Sequence, residues 1–203
     1  DVQIPDTPGA PILVDFGLHA LTAAIIERRF VKRLPDLDWK NASGVYVLLT
    51  TDASGKVYVG KSDNLKKRMA DHDANPPLNW STALLIKRVN DPGFAFSTAD
   101  IAHLENRLHA EVSAMAGLTL VKVQVPQGGS MAPARRQVLD QLVPAMLAAL
   151  RLAGVDTRQR TPVLVAASPG PAPSTPPTST GGTPPRAIRT NHSKSIPDLL
   201  SQG

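Results

Sequence analysis

The amino-acid sequence predicts an α+β fold in which a small three-stranded antiparallel sheet is flanked by helices. Three observations lead to this prediction. Residues 43–61 alternate apolar and polar side chains in two short runs with a polar turn between them, a pattern typical of a β-hairpin. A further apolar run over 82–89 has the length of a third strand. Segments with apolar residues at helical spacing stand on both sides of these runs.

Residues 1–39 are predicted to form an extended arm followed by an amphipathic helix. Residues 1–16 contain three prolines and short apolar pieces, so we expect no regular structure there. From 17 to 34, apolar residues recur at helical spacing and basic residues crowd the last turns, where they suit the helix dipole. The apolar stripe is Leu18, Leu21 and Ile25, and the basic cluster is Arg28, Arg29, Lys32 and Arg33. This cluster is either a contact for nucleic-acid phosphates or a solvated helix end.

The two tyrosines of the chain stand in the predicted hairpin. Its turn, Thr51 to Gly55, has an odd number of residues, so Tyr46 and Tyr58 fall on the same face of the sheet. Cross-strand neighbours lie roughly 5 Å apart, and we therefore expect the two phenol rings to meet.

A helix is predicted to follow the hairpin and to reach His72, with Ser62 or Asp63 as its N-cap. Its inward face is Leu65, Arg68, Met69 and His72. An unpaired buried charge costs several kcal/mol, so an anionic group is expected opposite Arg68. The alternative is that the tyrosines are ordinary sheet aromatics and that Arg68 and His72 are half-exposed.

Residues around the third strand have different expected roles. Trp39 before the hairpin and Trp80 at the entrance of the strand are expected to pack in the core. Lys87 and Arg88 close the strand and are candidate contacts for a phosphate backbone. The Asp-Pro-Gly sequence at 91–93 is expected to form a turn.

A long helix is predicted to begin at Ser97 or Thr98 and to end near Gly117. Its buried face is Ile101, Leu104, Leu108, Val112 and Met115. Glu105 lies at the edge of that face, where a carboxylate must be paired or must hold a metal. An ion pair with Arg68 is the non-catalytic alternative. His109, four residues further on, is expected to face solvent.

The last predicted helix runs from Pro133 to about Ala153 and carries a broad apolar seam. Pro144 is expected to kink it. The seam must be covered, either by the rest of the domain or by a second copy of the chain. The helices over 133–153 and 17–34 are therefore the candidate contacts of a homodimer.

Gly44-Val45-Tyr46, then Tyr58-Val59-Gly60-Lys61, then Arg68 and His72 spaced as RxxxH, resemble the GIY-YIG nuclease superfamily in its bacterial, restriction-associated form. The resemblance covers about residues 40–155. In that superfamily the two tripeptides lie on adjacent strands, the Arg follows on the next helix, and a metal-binding Glu lies on the helix after the third strand. Glu105 corresponds to this Glu. The superfamily usually has a supporting Asn near 119–125, and this sequence has none there.

The resemblance implies a divalent-metal-dependent endonuclease acting on DNA, with Mg²⁺ or Mn²⁺ held by Glu105. The catalytic residues that it implies are Tyr46, Tyr58, Lys61, Arg68, His72 and Glu105. Water is expected to be the nucleophile. Tyr46 is expected to be the general base, with Tyr58 in reserve, if nearby positive charge stabilises a phenolate whose ordinary pKa is about 10.

Gly44 and Gly60 are expected to let the backbone approach closely. Two alternatives to the endonuclease stay open. The first is a DNA-binding or partner-recruiting module that keeps the fold with weakened catalysis. The second is an interaction protein whose amphipathic helices pair with another subunit.

Composition limits the remaining possibilities. Hydrophobic residues make up 42% of the 203 residues, which is enough for one core, and a net charge of +5 suits a polyanionic partner. The chain has no Cys, so disulfide and thiolate chemistry are excluded. No apolar run reaches the roughly 18 residues of a membrane span. We therefore expect no membrane partner and a cytoplasmic location.

The C-terminal part differs in composition from the rest. Residues 156–190 are rich in Pro, Ser, Thr and Gly and predict a disordered linker after a 40–155 domain. Residues 191–203 are predicted to be a short tail, either the start of another domain or a partner-docking motif. The first residue is Asp rather than Met, so we expect the chain to be a fragment or a processed product.

Overall fold

The computed structural model describes residues 1–52, 54–89, 95–121 and 131–156, which form an α+β fold around a mixed sheet. Its strands are β1 (Val2–Gln3), β2 (Ile12–Phe16), β3 (Leu21–Glu27), β4 (Gly44–Leu49), β5 (Lys56–Ser62), β6 (Thr82–Arg88) and β7 (Thr119–Leu120). Its α-helices are α1 (Asp36–Trp39), α2 (Leu65–Ala74), α3 (Thr98–Ser113), α4 (Pro133–Asp140) and α5 (Val143–Leu152). Two 3₁₀ helices span Gly17–His19 and Arg28–Arg33.

The sheet has the order β1-β2-β3-β6-β4-β5-β7, and every neighbouring pair is antiparallel except β5 with β7. The predicted strands β4, β5 and β6 and the β4–β5 hairpin are present. The prediction of a three-stranded sheet is nevertheless wrong, because four further strands extend it at both edges. Two of these, β1 and β2, lie in the residues expected to be an irregular arm, and β1 and β7 are only two residues long.

The helix predicted over 17–34 is wrong, because most of this segment is β3. Leu21, Ala23 and Ile25 pack on one face of the sheet, and Ala24 and Ile26 pack on the other. A strand buried on both faces has a nearly continuous apolar run, in which helical spacing also occurs by coincidence. Leu18, assigned to the helical stripe, is fully exposed. A homodimer contact through a helix over 17–34 is therefore excluded.

Helices cover both faces of the sheet. Odd-numbered residues of β4 and β5 pack with α3, α4 and α5 in one hydrophobic cluster. Even-numbered residues of these strands, among them Tyr46, pack with α2 and the end of α1 in a second cluster. Trp39 and Trp80 are buried in this second cluster, as predicted. The hairpin therefore presents different side chains to α2 and to α3.

The predicted start of α3 is confirmed at Ser97. Its side chain accepts a hydrogen bond from the amide of Asp100, and the Asp100 carboxylate accepts one from the amide of Ser97. Arg135 of α4 donates to both carboxylate oxygens of Asp100, at 2.9 and 2.6 Å. Burial alone raises the pKa of Asp100, but these hydrogen bonds outweigh it and hold the pKa below its ordinary value. α3 ends at Ser113, one turn before the predicted Gly117.

The predicted C-terminal helix is two helices, with Pro144 in the first turn of α5. The chain is thus interrupted just before the proline rather than kinked at it. The buried seam residues are Leu139, Leu142, Val143, Met146, Leu147 and Leu150, whereas Val138 is exposed. The domain itself covers most of the seam, so a second copy of the chain is not needed to bury it.

Within the described residues, no helix combines the length and the apolar content needed to cross a membrane. The predicted turn at 91–93, the linker after Asp156 and the tail over 191–203 lie outside the described residues. So does the segment that follows Val121, where the supporting Asn of the superfamily is expected.

Candidate active site

Tyr46, Tyr58 and His72 form a cluster of rings between the sheet and α2. The ring centroids of Tyr46 and Tyr58 lie 6.2 Å apart with an angle of 17° between their planes. The His72 ring lies 5.3 Å from Tyr46 and 5.6 Å from Tyr58. The Tyr46 hydroxyl is 2.7 Å from Nε2 of His72. The predicted meeting of the two phenols on one face is confirmed.

The pairing register of β4 and β5 explains this cluster. Tyr46 pairs with Gly60 and Leu48 pairs with Tyr58, so the two tyrosines are diagonal neighbours. A Cβ at residue 60 would lie 2.4 Å from the Tyr46 hydroxyl oxygen, so glycine leaves the space that the phenol fills. A Cβ at residue 44 would lie 2.1 Å from the carbonyl oxygen of Ile86. Gly44 thus lets the chain lie close to the Ile86 carbonyl group, and Gly60 leaves room for the Tyr46 phenol, so both close contacts are within the protein itself.

α2 carries His72 into the cluster. The helix follows Asn64, whose side chain accepts a hydrogen bond from the amide of Lys67, so the predicted caps Ser62 and Asp63 are wrong by one or two residues. At the other end, Nε1 of Trp80 donates to the carbonyl oxygen of His72 at 3.2 Å. Neither contact is predicted from the sequence, although Asn is a common N-cap. Together these contacts fix both ends of the helix that positions His72.

Burial determines the protonation states of Tyr46 and His72. It raises the pKa of Tyr46, with Tyr58 adding to the effect and Arg68 opposing it. Burial, assisted by Arg68, lowers the pKa of His72 to about 4. At neutral pH the phenol is therefore protonated and the imidazole neutral. The imidazole tautomer decides which of the two groups donates in the hydrogen bond between them.

We expect acid to destabilise the folded protein through His72. Its pKa falls from 6.5 to about 4 on folding, so the unfolded chain binds the proton more readily and stability is lost as the pH falls through this interval. Between about pH 7.5 and about pH 5 the loss is about 2 kcal/mol. Urea unfolding at the two pH values measures it. His72→Gln removes the titrating group and should lose that much less, whereas equal losses in both proteins would contradict the assignment.

Glu105 of α3 forms an ion pair with Lys61 of β5. Nζ of Lys61 lies 2.8 Å from Oε2 of Glu105, and the exposed fractions of the two side chains are 31% and 2%. The predicted burial of Glu105 is confirmed, but its cationic partner is Lys61 rather than Arg68. The charge of Glu105 also contributes to the raised pKa of Tyr46. The ion pair and the ring cluster are therefore electrostatically connected.

An open groove of about 350 Å³ adjoins the ion pair. Its lining residues are Lys61, Ser62, Asp63, Asn64, Lys67, Arg68, Asp71 and Ile101. Arg68 is exposed, so the prediction that its side chain points inward is wrong. It stands at the rim of the buried face of α2, where water solvates the guanidinium and no buried anion is required. The groove therefore presents Lys61 and Arg68 to solvent beside the buried Tyr46.

The predicted basic cluster for phosphate binding is largely engaged within the protein. Arg28 pairs with Asp73, and Arg29 pairs with Glu27. Arg33 donates a hydrogen bond to the carbonyl oxygen of Pro8. Arg28 also lies over the ring of Trp80, 5.4 Å from its centroid. Lys32 is exposed. The alternative interpretation, a solvated helix end, holds for Lys32 and Arg33, which are exposed in the last turn of a helix, but this helix is a short 3₁₀ helix rather than the predicted amphipathic one.

The structure also changes the prediction for the end of the third strand. Lys87 is 3% exposed, and its Nζ lies 5.2 Å from the centroid of the Trp39 ring. Arg88 is half-buried, and its guanidinium lies over Phe96. Burial lowers the pKa of both side chains. The prediction of a phosphate contact is therefore wrong for Lys87, because a strand end with neighbours on both sides is not at the surface.

His109 was expected to face solvent, and this prediction is wrong as well. It is 8% exposed, one turn after Glu105 on α3. Helical projection separates a buried face from a polar face only when one side of the helix is covered, and α3 has the sheet on one side and α4 on another. A polar residue beside the apolar stripe is then buried too.

Glu105 offers one oxygen-donor side chain of the kind that a hard divalent cation takes. Among the described residues, no three His, Asp or Glu side chains are grouped to hold a metal. Mg²⁺ does not require such a group, because it keeps several waters and commonly takes one or two carboxylates together with substrate phosphates. Glu105 supplies one such carboxylate, and Lys61 and Arg68 in the adjoining groove are cations that can bind a phosphate.

Comparisons of the chain with protein-family models, with curated proteins and with solved structures find no match. Any chemistry assigned to the cluster therefore rests on the motif and on the geometry of the described residues.

Proposed function

We propose that this protein is a divalent-metal-dependent endonuclease that hydrolyses phosphodiester bonds of DNA, in restriction or other DNA processing. The supporting observation is the contact of the Tyr46 hydroxyl with a neutral, buried His72, at a position where Arg68 and Glu105 both act on the phenol. These residues come from three separate elements and match the GIY-YIG resemblance. A cytoplasmic location belongs to the same proposal.

Tyr46 is the base for the attacking water in this proposal, and His72 positions it. A phenol accepts a proton from water only as the phenolate, and burial opposes that form. The positive charge of Arg68 lowers the pKa of Tyr46 and so favours the phenolate, and a bound metal ion would act in the same direction. Nε2 of His72 lies 2.7 Å from the phenol oxygen and holds it in place. Tyr58, whose ring contacts both others, is the reserve candidate.

Glu105 is the residue that would hold Mg²⁺ or Mn²⁺. When bound, the ion polarises the scissile phosphate and stabilises the departing 3′-oxygen. The exposed guanidinium of Arg68 binds the phosphate oxygens through charge-assisted hydrogen bonds. Lys61 adds positive charge to the same groove.

A DNA-binding or partner-recruiting module with weakened catalysis is the second candidate. The ion pair of Lys61 with Glu105 favours it, because an ammonium group already neutralises the carboxylate. The lack of an Asn in residues 119–125 favours it too.

Conversion of supercoiled plasmid DNA separates the two candidates. An endonuclease yields nicked or linear DNA in Mg²⁺ or Mn²⁺, and EDTA stops the reaction. DNA binding in Ca²⁺ without cleavage across a broad panel of substrates supports the binding module. If the protein shows no DNA binding and no DNA cleavage, both candidates are contradicted.

A further inference from the structure

The Lys61–Glu105 ion pair occupies the place at which a metal ion would bind the carboxylate. Nζ of Lys61 lies 2.8 Å from Oε2, and only 2% of the Glu105 side chain is exposed. A carboxylate buried to this degree needs a counter-charge. An ammonium group and a divalent cation both meet that need. The two cations are therefore competitors for Glu105.

We propose that Lys61 is a resident counter-ion that a divalent cation displaces from Glu105, and that the displaced ammonium group binds a substrate phosphate in the adjoining groove. This inference rests on the proposed function. Lys61 is 31% exposed and lines the groove, so its side chain reaches solvent without crossing the core. Lysine suits the exchange because its charge is compact and its four-carbon stem is flexible.

Displacement makes metal binding and DNA binding cooperative. In the free protein a cation must first separate Lys61 from Glu105, which weakens its apparent affinity. A bound phosphate offers the ammonium group a new partner and removes part of that penalty. By linkage, the metal then strengthens DNA binding by the same factor. Lys61 is thus a positioning residue that keeps a positive charge beside the Glu105 carboxylate until the metal ion binds.

The test is binding of Mn²⁺ to the full 203-residue chain without DNA, measured from the electron paramagnetic resonance signal of free Mn²⁺. Lys61→Met should bind Mn²⁺ more tightly than wild type, on the order of tenfold, because the competitor is gone. Lys67→Met is the matched control, since Lys67 lines the same groove and its loss changes the net charge equally. Glu105→Gln gives the background.

Lys61→Gln is a second variant that keeps a hydrogen-bond donor beside Glu105, in case Lys61→Met fails to fold. Tighter binding by either Lys61 variant than by Lys67→Met supports displacement. Equal or weaker binding overturns it, and the proposed function stands if the wild type still cleaves DNA. If no protein binds Mn²⁺ above the Glu105→Gln background, both the displacement and the metal site of the proposed function are wrong.

Discussion

Replacing Tyr46 with Phe should slow DNA cleavage by a factor on the order of 10² to 10⁴ and leave the fold intact. The change deletes one oxygen, which is hydrogen-bonded to Nε2 of His72 at 2.7 Å. The ring keeps its stacking on Tyr58 and its place over Gly60. The lost hydrogen bond costs about 1 kcal/mol of stability. Single-turnover cleavage and urea unfolding of the same preparation measure the two effects separately.

Tyr58→Phe is the matched control, because Tyr58 is the neighbouring phenol on the same face. A larger loss in Tyr58→Phe than in Tyr46→Phe would reverse the assignment of the base. Near-normal cleavage by both variants would exclude the tyrosine mechanism. DNA affinity in Ca²⁺ should be almost unchanged in Tyr46→Phe and weaker in Arg68→Ala, since only Arg68 is assigned a phosphate contact.

Replacing Glu105 with Ala should reduce cleavage to the background of the assay. The change removes the carboxylate assigned to the metal and leaves Lys61, whose partial exposure lets water solvate its ammonium group. The fold should therefore persist, with a loss of stability from the small cavity left under α3. Cleavage in saturating Mg²⁺, together with circular dichroism, checks both statements.

Glu111→Ala is the control for this variant. Glu111 lies on the same helix and pairs with Arg107 at 3.8 Å. Its loss should leave cleavage unchanged. Undiminished cleavage by Glu105→Ala would remove Glu105 from the site, whatever the other variants show.

The local features of the candidate site could be predicted because short-range rules determine them. The odd-length turn at 51–55 places Tyr46 and Tyr58 on one face irrespective of the rest of the fold. The capping box at Ser97 and the apolar stripe that follows it bury Glu105 at the edge of α3. The period of a strand and the period of a helix are enough to place these side chains.

Features that depend on distant parts of the chain could not be predicted in the same way. The apolar run of β3 fits two structures, an amphipathic helix and a strand buried on both faces. Only the pairing of this segment with β2 and β6 shows that it is a strand. Arg68 alone is predicted as the ion-pair partner of Glu105, and only the positions of β5 and α2 relative to α3 identify Lys61 as the partner instead. Lys87 is buried against Trp39, which lies far from it in sequence. His109 is buried on α3, which packs against both the sheet and α4.

The central claim is that the cluster of Tyr46, His72, Arg68 and Glu105 hydrolyses DNA with water as the nucleophile. The most direct measurement is cleavage of end-labelled DNA by the wild-type protein in Mg²⁺ or Mn²⁺, with analysis of the new ends. Hydrolysis that releases the 3′-oxygen predicts metal-dependent products with 3′-hydroxyl and 5′-phosphate ends, which DNA ligase can rejoin. Intact DNA in every metal and substrate tested, or cleavage that persists in EDTA, would contradict the claim.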